Sequence, residues 1–485
     1  MKPLAMKTIL KFLTLVALLC GSTFAAERPN IVVVLLDDMG WGDFSCFGNK
    51  DAQTPHVDRL AGEGIRFSQF YVNSPICSPS RTALTTGQYP QRWKIASFLN
   101  NRADNARRGM ANWLDPKAPT LARTLQRSGY ATGHFGKWHM GGQRDVDDAP
   151  AISEYGFDES LTNFEGMGPK LLPLTMKPGA TEPGKIWADA ERLGTPVTWM
   201  QRSQITGGFV DAAISFLDKA VAAKKPFFMN VWPDDVHSPF WPPVDKWADG
   251  KRGLYRAVLM EADRQLGKLF DHIRNTPALR DNTIVLVFSD NGPEPGAGSA
   301  GPFRGTKGTL YEGGTRSSLV AWAPGLMDKS KVGIHNEQSV FAAFDLAPSL
   351  LAIAKVAPPP GVTFDGESLA SILLGESTAS RKAPIFWRRP PDRKTMPPSP
   401  ELLPALAVRD GDWKLLCEYD GSEPQLYNLA TDRGETKNVA AQNPDHVARL
   451  TKALLAWHNS MPPDNGPSLV DSLTKPGKQK QPDSE

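Results

Sequence analysis

Four short apolar segments of this chain each end abruptly in a cluster of polar residues, and this pattern constrains the fold more than any other feature of the sequence. The segments are Ile31–Leu36, Gly129–Phe135, Pro226–Trp232 and Thr283–Ser289. Runs of this length and composition are typical of strands that are buried on both faces of a sheet. The polar residues that follow them therefore come at the ends of buried strands.

Helical patterns separate the apolar segments. Apolar residues recur at helical spacing over residues 54–61, 120–128, 209–223 and 254–273. Strands that alternate with helices predict an α/β fold, in which a large, mostly parallel sheet is sandwiched by helices. In such sheets ligands bind beyond the carboxyl ends of the strands, so we expect the four polar clusters to lie together at that edge.

The composition of the sequence changes after about residue 355. Proline-rich stretches in this region are typical of loops. Short strand patterns follow at 405–409, 413–419 and 425–429, and a helical pattern covers 444–458. We therefore predict a smaller C-terminal subdomain, in which antiparallel strands pack against one helix.

The first residues have the pattern of a secretory signal peptide. Basic residues precede the apolar stretch Phe12–Leu19, and small residues up to Ala25 predict cleavage after that residue. We expect a periplasmic or secreted protein with no integral membrane segment after cleavage; an uncleaved anchor and lipidation at Cys20 are the alternatives. Removing the three lysines of this segment reduces the formal charge from +3 to zero, so no basic surface argues for a nucleic-acid partner.

Cysteine usage does not indicate a disulfide framework. Of the four cysteines, Cys20 leaves with the signal peptide and Cys77 belongs to the motif Cys77-Ser78-Pro79-Ser80-Arg81. Cys46 and Cys417 either pair with each other or remain two buried free thiols.

The polar clusters supply two kinds of chemistry. Asp37, Asp38, Asp290 and Asn291 follow two of the strand patterns and offer the hard oxygen ligands that Ca²⁺ or Mg²⁺ prefers. Other polar positions suit the binding of a tetrahedral oxyanion. They are Arg81, Lys137, His139, His237 and Lys307. Each cluster alone has a simple explanation as a helix cap or a turn, but together they predict one site for a cation and an anionic substrate.

A short motif and three further blocks resemble one enzyme family. The motif is the pattern C-x-P-x-R at residues 77–81. The other blocks are Pro29–Asp43, Gly129–His139 and Gly305–Arg316. On these residues the chain is identified as a member of the formylglycine-dependent type I sulfatases of the alkaline phosphatase superfamily, and it is most similar to their N-acetylgalactosamine-6-sulfatase and arylsulfatase-like branch. The resemblance runs from Pro29 to about Trp457 and implies an alkaline phosphatase-like fold.

The resemblance also implies how the site works. Asp37, Asp38, Asp290, Asn291 and Cys77 would bind one Ca²⁺, with Mg²⁺ as the alternative. Cys77 would be oxidised to formylglycine by a formylglycine-generating enzyme during maturation. One hydroxyl of the hydrated aldehyde would attack sulfur and displace the alcohol, which leaves a sulfated hemiacetal. The second hydroxyl would then lose its proton and expel sulfate, which restores the aldehyde.

Further residues receive roles from the same resemblance. Arg81 would orient the diol, and Lys137 would spread positive charge over the sulfate. His237 with Lys307 would protonate the leaving oxygen, and His139 would be the base for the expulsion of sulfate. The implied organisation is a signal peptide (1–25), a catalytic domain (26–355), a C-terminal subdomain (356–460) and a disordered tail (461–485).

The sequence constrains the substrate less than the reaction. The export signal and the branch of the family favour sulfated carbohydrates, such as fragments of glycosaminoglycans or algal polysaccharides. Loops near the predicted strand ends supply a pool of candidate substrate contacts: Arg144, Asp145, Asp147, Asn163, Glu165, Trp199, Asp234, Asp235, Trp241 and Arg304. The alternatives are a phosphodiesterase or phosphonate monoester hydrolase of the same superfamily, and a catalytically silent glycan-binding protein.

Overall fold

The computed structural model describes residues 28–142, 146–393 and 402–464 of the 485-residue chain. The predicted signal peptide and all but four residues of the predicted tail lie outside these ranges. Within them the chain forms a twelve-stranded sheet covered by helices and a separate four-stranded sheet. The predicted α/β fold with a smaller antiparallel sheet and helix is confirmed, whereas the domain boundaries stay predictions.

The large sheet is mixed but mostly parallel. Its strands are β1 (Asn30–Leu36), β2 (Ile65–Tyr71), β3 (Ala131–Gly136), β4 (Glu159–Thr162), β5 (Lys170–Thr175), β6 (Gly184–Lys185), β7 (Val197–Gln201), β8 (Phe227–Trp232), β9 (Thr283–Ser289), β10 (Arg316–Trp322), β11 (His335–Asn336) and β12 (Phe341–Ala342). Their order is β11-β2-β10-β9-β1-β8-β3-β4-β5-β6, with β12 beside β2 and β7 beside β5. The neighbouring strands β9, β1, β8 and β3 run parallel, so their carboxyl ends share one edge.

Helices lie on both faces of this sheet and beside the smaller one. In the described residues they are α1 (Pro55–Glu63), α2 (Cys77–Thr86), α3 (Arg102–Arg107), α4 (Leu121–Arg127), α5 (Ile205–Ala222), α6 (Gly250–Asn275), α7 (Pro277–Arg280), α8 (Glu312–Thr315), α9 (Leu346–Ile353), α10 (Ala370–Leu373) and α11 (Pro444–Ser460). None of these described helices combines the length and the apolar character needed to cross a membrane.

Strand β1 shows how the two cores of the sheet are built. All seven of its residues are buried, and alternate side chains point to opposite faces. Ile31, Val33 and Leu35 pack with apolar residues of α2, α4 and α9 on one face. The intervening side chains pack with α1, α5 and α6 on the other face. Burial of each such side chain contributes about 1.5–3 kcal/mol, so the strand that leads to Asp37 is firmly fixed.

The register of the central strands brings the polar clusters to one place. Leu36, the last residue of β1, lies level with Ser289, the last residue of β9. Gly136 at the end of β3 lies level with Trp232 at the end of β8. The chain therefore continues from four neighbouring strand ends into one region, as the sequence pattern predicts.

The second sheet packs on the first through a core of its own. Its antiparallel strands are β13 (Ile385–Arg388), β14 (Leu406–Asp410), β15 (Trp413–Cys417) and β16 (Gln425–Asn428). Leu450, Leu454 and Trp457 of α11 pack in this core together with Tyr71 of β2 and Ala83 of α2. The cysteines of the described residues are free thiols: Cys46, Cys77 and Cys417. Cys46 and Cys417 therefore do not pair with each other.

A buried ionic network joins the second sheet to the large one. Lys414 Nζ of β15 lies 2.9 Å from Glu312 Oε1 and 3.0 Å from Glu435 Oε1. The Glu312 backbone N–H donates to Glu435 Oε2 at 2.7 Å, and the Tyr71 hydroxyl donates to Glu312 Oε2 at 2.6 Å. Because the three charged side chains have no solvent exposure, each relies on its partners. Glu312 begins α8, so the network anchors the loop that carries Lys307.

Replacing the lysine of this network should destabilise the protein. Lys414→Met leaves the buried Glu435 carboxylate without its cation and Glu312 with Arg316 as its remaining cation, so we expect the free energy of unfolding to fall by about 3–5 kcal/mol. Urea unfolding followed by tryptophan fluorescence measures the loss. The control Lys437→Met removes an exposed lysine and should change this free energy by less than about 0.5 kcal/mol. Equal stability of the two variants would contradict the counter-ion role of Lys414.

Candidate active site

Buried carboxylates lie where two of the central strands end. Asp37 and Asp38 follow β1, and Asp290 and Asn291 follow β9. Oxygen atoms of the three aspartates lie within 4.8 Å of one another, and all three residues are buried. Like charges this close repel one another and have lost their hydration, so positive partners are required to keep them ionised.

Two lysines neutralise the aspartates that follow β1. Lys137 Nζ donates to Asp37 Oδ2 at 2.7 Å, and Lys307 Nζ donates to Asp38 Oδ2 at 2.5 Å. Burial tends to raise the pKa of each aspartate, but the adjacent cations outweigh it and hold both pKa values below the ordinary range. Burial also tends to lower the pKa of each lysine, but the adjacent carboxylates outweigh this effect and raise both pKa values. Both pairs are therefore ionised.

Helix α2 explains the spacing of the motif C-x-P-x-R. Cys77 is the first residue of the helix, and Pro79 lies in its first turn. A proline is tolerated there because the first N–H groups of a helix have no partner within it. Arg81 comes four residues after Cys77, which places both side chains on the same face of the helix.

Arg81 is fully buried and connects two segments of the site. Its Nε and Nη2 atoms donate to Asp290 Oδ2 at 3.0 and 2.7 Å. Its Nη1 atom donates to the main-chain oxygen of Lys137 at 3.0 Å. Arg81 therefore fixes the Asp290 carboxylate and the chain beyond β3, while its implied role toward a diol at residue 77 stays a prediction.

Two buried oxygens of the cluster, Asp37 Oδ1 and Asn291 Oδ1, have no hydrogen-bond donor among the described residues. Arg81 Nη2 lies 3.2 Å from the first of these oxygens, but outside the alignment of a hydrogen bond. Asn291 Nδ2 donates to Asp38 Oδ1 at 2.8 Å, which fixes the amide. Unsatisfied buried oxygens are costly, and carboxylate and amide oxygens are the ligands of hard divalent cations. The residues present therefore fit Ca²⁺ or Mg²⁺.

The charge balance also favours a bound cation. Burial and the neighbouring Asp37 raise the pKa of Asp290 to about 7, because Arg81 compensates only part of this cost. Three carboxylates meet three cations, which leaves no surplus positive charge for an anionic substrate. A divalent cation would supply that charge and keep Asp290 ionised.

Two residues of the site have an unusual backbone conformation. The φ angle is 62° at Asp38 and 55° at His139. Residues other than glycine rarely occupy this left-handed region, which costs about 1–3 kcal/mol for each. Such strain persists where the surrounding structure imposes it, and here it occurs beside the carboxylate cluster.

The ten candidate substrate contacts fall into different environments. Arg144 and Asp145 lie outside the described residues. Arg304 donates to Tyr427 Oη of the second sheet at 3.2 Å. Four others are buried: Asn163, Glu165, Asp234 and Asp235. Three retain solvent exposure and remain candidates: Asp147, Trp199 and Trp241.

The structure adds contacts that the sequence patterns did not single out. Leu99 N–H donates to Ser78 Oγ at 2.9 Å, and the Leu99 carbonyl oxygen lies 3.1 Å from His139 Nε2. Arg202 Nη1 donates to Asp234 Oδ1 at 2.9 Å. A main-chain carbonyl has no signal in the sequence. No sequence pattern predicts the pair of Arg202 and Asp234 either, because the two residues lie on separate segments of the chain.

Buried carboxylates that fit a divalent cation, beyond parallel strands and surrounded by basic side chains, are suited to the hydrolysis of anionic esters. A family model described as Sulfatase matches residues 29–356, and the chain belongs to the sulfatase family. It is therefore an enzyme that hydrolyses sulfuric esters.

Individual relatives agree with this assignment. N-acetylgalactosamine-6-sulfatase of Canis lupus familiaris is 32% identical over 383 residues, which cover 76% of this chain and 70% of that protein. Arylsulfatase A of Homo sapiens is 30% identical over 487 residues, which cover 91% and 90%. The crystal structure of Ps i-CgsB in complex with k-i-k-neocarrahexaose has a TM-score of 0.74 at 25% identity and covers 92% and 96%. The resemblance drawn from the sequence blocks is confirmed.

Removal of one carboxylate should weaken cation binding. In Asp290→Asn the site keeps its shape but loses one charged ligand, so we expect the affinity for Ca²⁺ to fall by about 100-fold or more. Calorimetric titration of chelator-treated protein with Ca²⁺ measures this. Asp147→Asn changes an exposed aspartate and serves as the control. Unchanged Ca²⁺ affinity in Asp290→Asn would rule out Asp290 as a ligand.

Proposed function

We propose that this sulfatase acts on sulfated carbohydrates by means of a formylglycine made from Cys77 and a Ca²⁺ ion held by the residues that follow β1 and β9. The observation that carries the proposal is the position of Cys77. It begins α2 close enough to the charged cluster for Lys137, Lys307, Asp37 and Asp290 all to influence its pKa. The first turn of a helix also favours a negatively charged ligand.

The protonation of the thiol supports its conversion. Burial raises the pKa of Cys77 to about 12, and Lys137 and Lys307 offset only part of this effect. An unmodified thiol is therefore protonated at neutral pH and weakly nucleophilic. A formylglycine-generating enzyme would replace it by an aldehyde, whose hydrate offers one hydroxyl to attack sulfur and a second whose proton loss expels sulfate.

The carboxylate cluster supports the choice of cation. Asp37, Asp38, Asp290 and Asn291 offer the oxygen ligands, and Ca²⁺ accepts such sets with flexible geometry, whereas Mg²⁺ demands a near-octahedral one. When bound, the ion would supply positive charge to the sulfate oxygens.

Solvent exposure separates the basic residues into two groups. The side chains of Arg81 and Lys137 are at most 2% exposed, whereas those of Lys307 and His237 are 14% and 28% exposed. The alcohol that leaves belongs to a glycan and has to remain on the solvent side. Lys307 and His237 are therefore suited to protonate its oxygen. Arg81 and Lys137 instead fix charge at the floor of the site.

The relatives support a carbohydrate substrate. One is named N-acetylgalactosamine-6-sulfatase, and one structural neighbour is a complex with k-i-k-neocarrahexaose. The exposed parts of Trp199 and Trp241 offer aromatic faces on which sugar rings stack. Export to the periplasm or medium would bring the enzyme to such polymers. In this proposal the catalytic domain at 26–355 holds every site residue, and the subdomain at 356–460 supports it through Lys414.

Loss of the proposed nucleophile should abolish turnover. We expect Cys77→Ala to lower kcat for 4-nitrophenyl sulfate by about 10⁴-fold or more, while Cys417→Ala, a buried thiol of the second sheet, retains activity. Peptide mass spectrometry of the active enzyme should show an aldehyde at residue 77. An active preparation that carries only the thiol would refute the mechanism.

A direct comparison of a sulfate ester and a phosphate ester with the same leaving group should separate the sulfatase from its phosphate-cleaving alternatives. A site with one cation suits a sulfate monoester, which carries less charge than a phosphate monoester. We expect a higher kcat/KM for 4-nitrophenyl sulfate than for 4-nitrophenyl phosphate on the same preparation. Sulfate release from a panel of defined sulfated mono- and disaccharides then identifies the sugar. Faster hydrolysis of the phosphate would favour the phosphodiesterase or phosphonate hydrolase reading.

A further inference from the structure

Glu165 is a buried carboxylate beside two of the proposed catalytic residues, and none of the steps above uses it. It lies on the loop between β4 and β5, and 7% of its side chain is exposed. Its Oε2 atom lies 3.1 Å from Lys137 Nζ and 3.0 Å from His139 Nδ1. One oxygen therefore faces both groups.

The other ring nitrogen of His139 determines where a proton has to lie. Nε2 is 3.1 Å from the Leu99 carbonyl oxygen, which can only accept a hydrogen bond, so Nε2 carries a hydrogen. Nδ1 and Glu165 Oε2 are both buried, and neither has a well-aligned hydrogen-bond partner in the described part of the chain. Two lone pairs that face each other at 3.0 Å repel, whereas one proton between them satisfies both atoms.

The surrounding charges favour the same proton. Burial and the adjacent Lys137 lower the pKa of His139 well below its ordinary value. Burial raises the pKa of Glu165, although Lys137 opposes this. The other ionisable groups that act on the two residues are Arg81, Asp37 and His237. The shared proton therefore lies closer to the Glu165 carboxyl group than to His139. This position avoids a second positive charge beside Lys137.

The loop that carries Glu165 is held by hydrogen bonds on both sides. The Glu165 N–H donates to Asn163 Oδ1 at 2.8 Å, and its carbonyl oxygen accepts from the His139 N–H at 2.9 Å. Asn163 Nδ2 in turn donates to Asp234 Oδ2 at 2.9 Å, and Arg202 holds the other oxygen of that carboxylate. A side chain on so fixed a loop is suited to orient its neighbours.

We propose that Glu165 is a positioning residue of the sulfatase reaction, which fixes Lys137 and the imidazole of His139 with one oxygen and keeps a shared proton between that oxygen and Nδ1. The proposal rests on the proposed function, because Glu165 acts only through residues of that reaction. It assigns Glu165 to the support of the site and removes it from the pool of substrate contacts.

Proton NMR of the complete enzyme tests the shared proton. Labelling of histidine with ¹⁵N identifies the resonance of the Nε2–H. We expect a further proton resonance downfield of the amide region, which His139→Gln should remove. Glu165→Gln should also remove it, because an amide cannot share a proton in this way. The control Glu261→Gln removes another buried, ion-paired carboxylate and should leave the resonance in place. Absence of the resonance from the unmutated enzyme, or its persistence in Glu165→Gln, overturns the proposal.

Steady-state kinetics test the positioning role. We expect Glu165→Gln to lower kcat for 4-nitrophenyl sulfate about 10- to 100-fold with KM little changed, and Glu165→Asp to recover part of the loss. Loss of the resonance with unchanged kcat, or an effect on KM alone, would contradict positioning. Absence of sulfatase activity in the unmutated enzyme would instead refute the proposed function, and the NMR result would still decide whether the proton is shared.

Discussion

The desolvated carboxylates that follow β1 and β9 determine the arrangement of the rest of the site. Asp37 and Asp38 can stay ionised in a buried position only because each meets a cation, whereas Arg81 compensates only part of the cost of burying Asp290. A pair of opposite charges 4 Å apart gains about 4 kcal/mol at an effective dielectric constant of 20, so each unpaired carboxylate would be costly. The cations come from three separate segments, with Lys137 after β3, Lys307 before α8 and Arg81 in α2. Neutralising one cluster therefore brings three distant parts of the chain together.

The same constraint links the second sheet to the carboxylate cluster. Lys307 reaches the cluster from a loop that ends at α8, and the first residue of that helix is held by Lys414 of β15. Gly314 allows this loop to pack closely, because a Cβ atom there would lie 2.0 Å from the Thr309 carbonyl oxygen. A lysine on a mobile loop would sample many positions, whereas one between two anchored segments stays near its carboxylate. The antiparallel sheet thus helps to hold the charge of Lys307 in place, although this lysine lies outside the sheet.

The sequence predicts the parts of the molecule that short segments encode. The run Ile31–Leu36 is apolar at every position because the strand is buried on both faces, and the register then places Asp37 beside Asp290. The environment of Glu165 could not be predicted in the same way. Its loop follows a strand, which suggests substrate contact, but its burial depends on the pairing of Asn163 with a residue 71 positions away. Long-range pairs of this kind leave no periodic pattern.

Burial also explains why the sequence defines the reaction more closely than the substrate. At the floor of the site each position has to offer a particular charge at a fixed distance, as Lys137 does for Asp37, so few residue types can serve there. Trp199 and Trp241 are only partly buried, and in the proposed function their exposed parts would contact sugar rings without such a constraint. A change at either position can alter the preferred glycan without disturbing a buried ion pair. In the proposed enzyme, the choice of substrate therefore depends on the residues that folding leaves free.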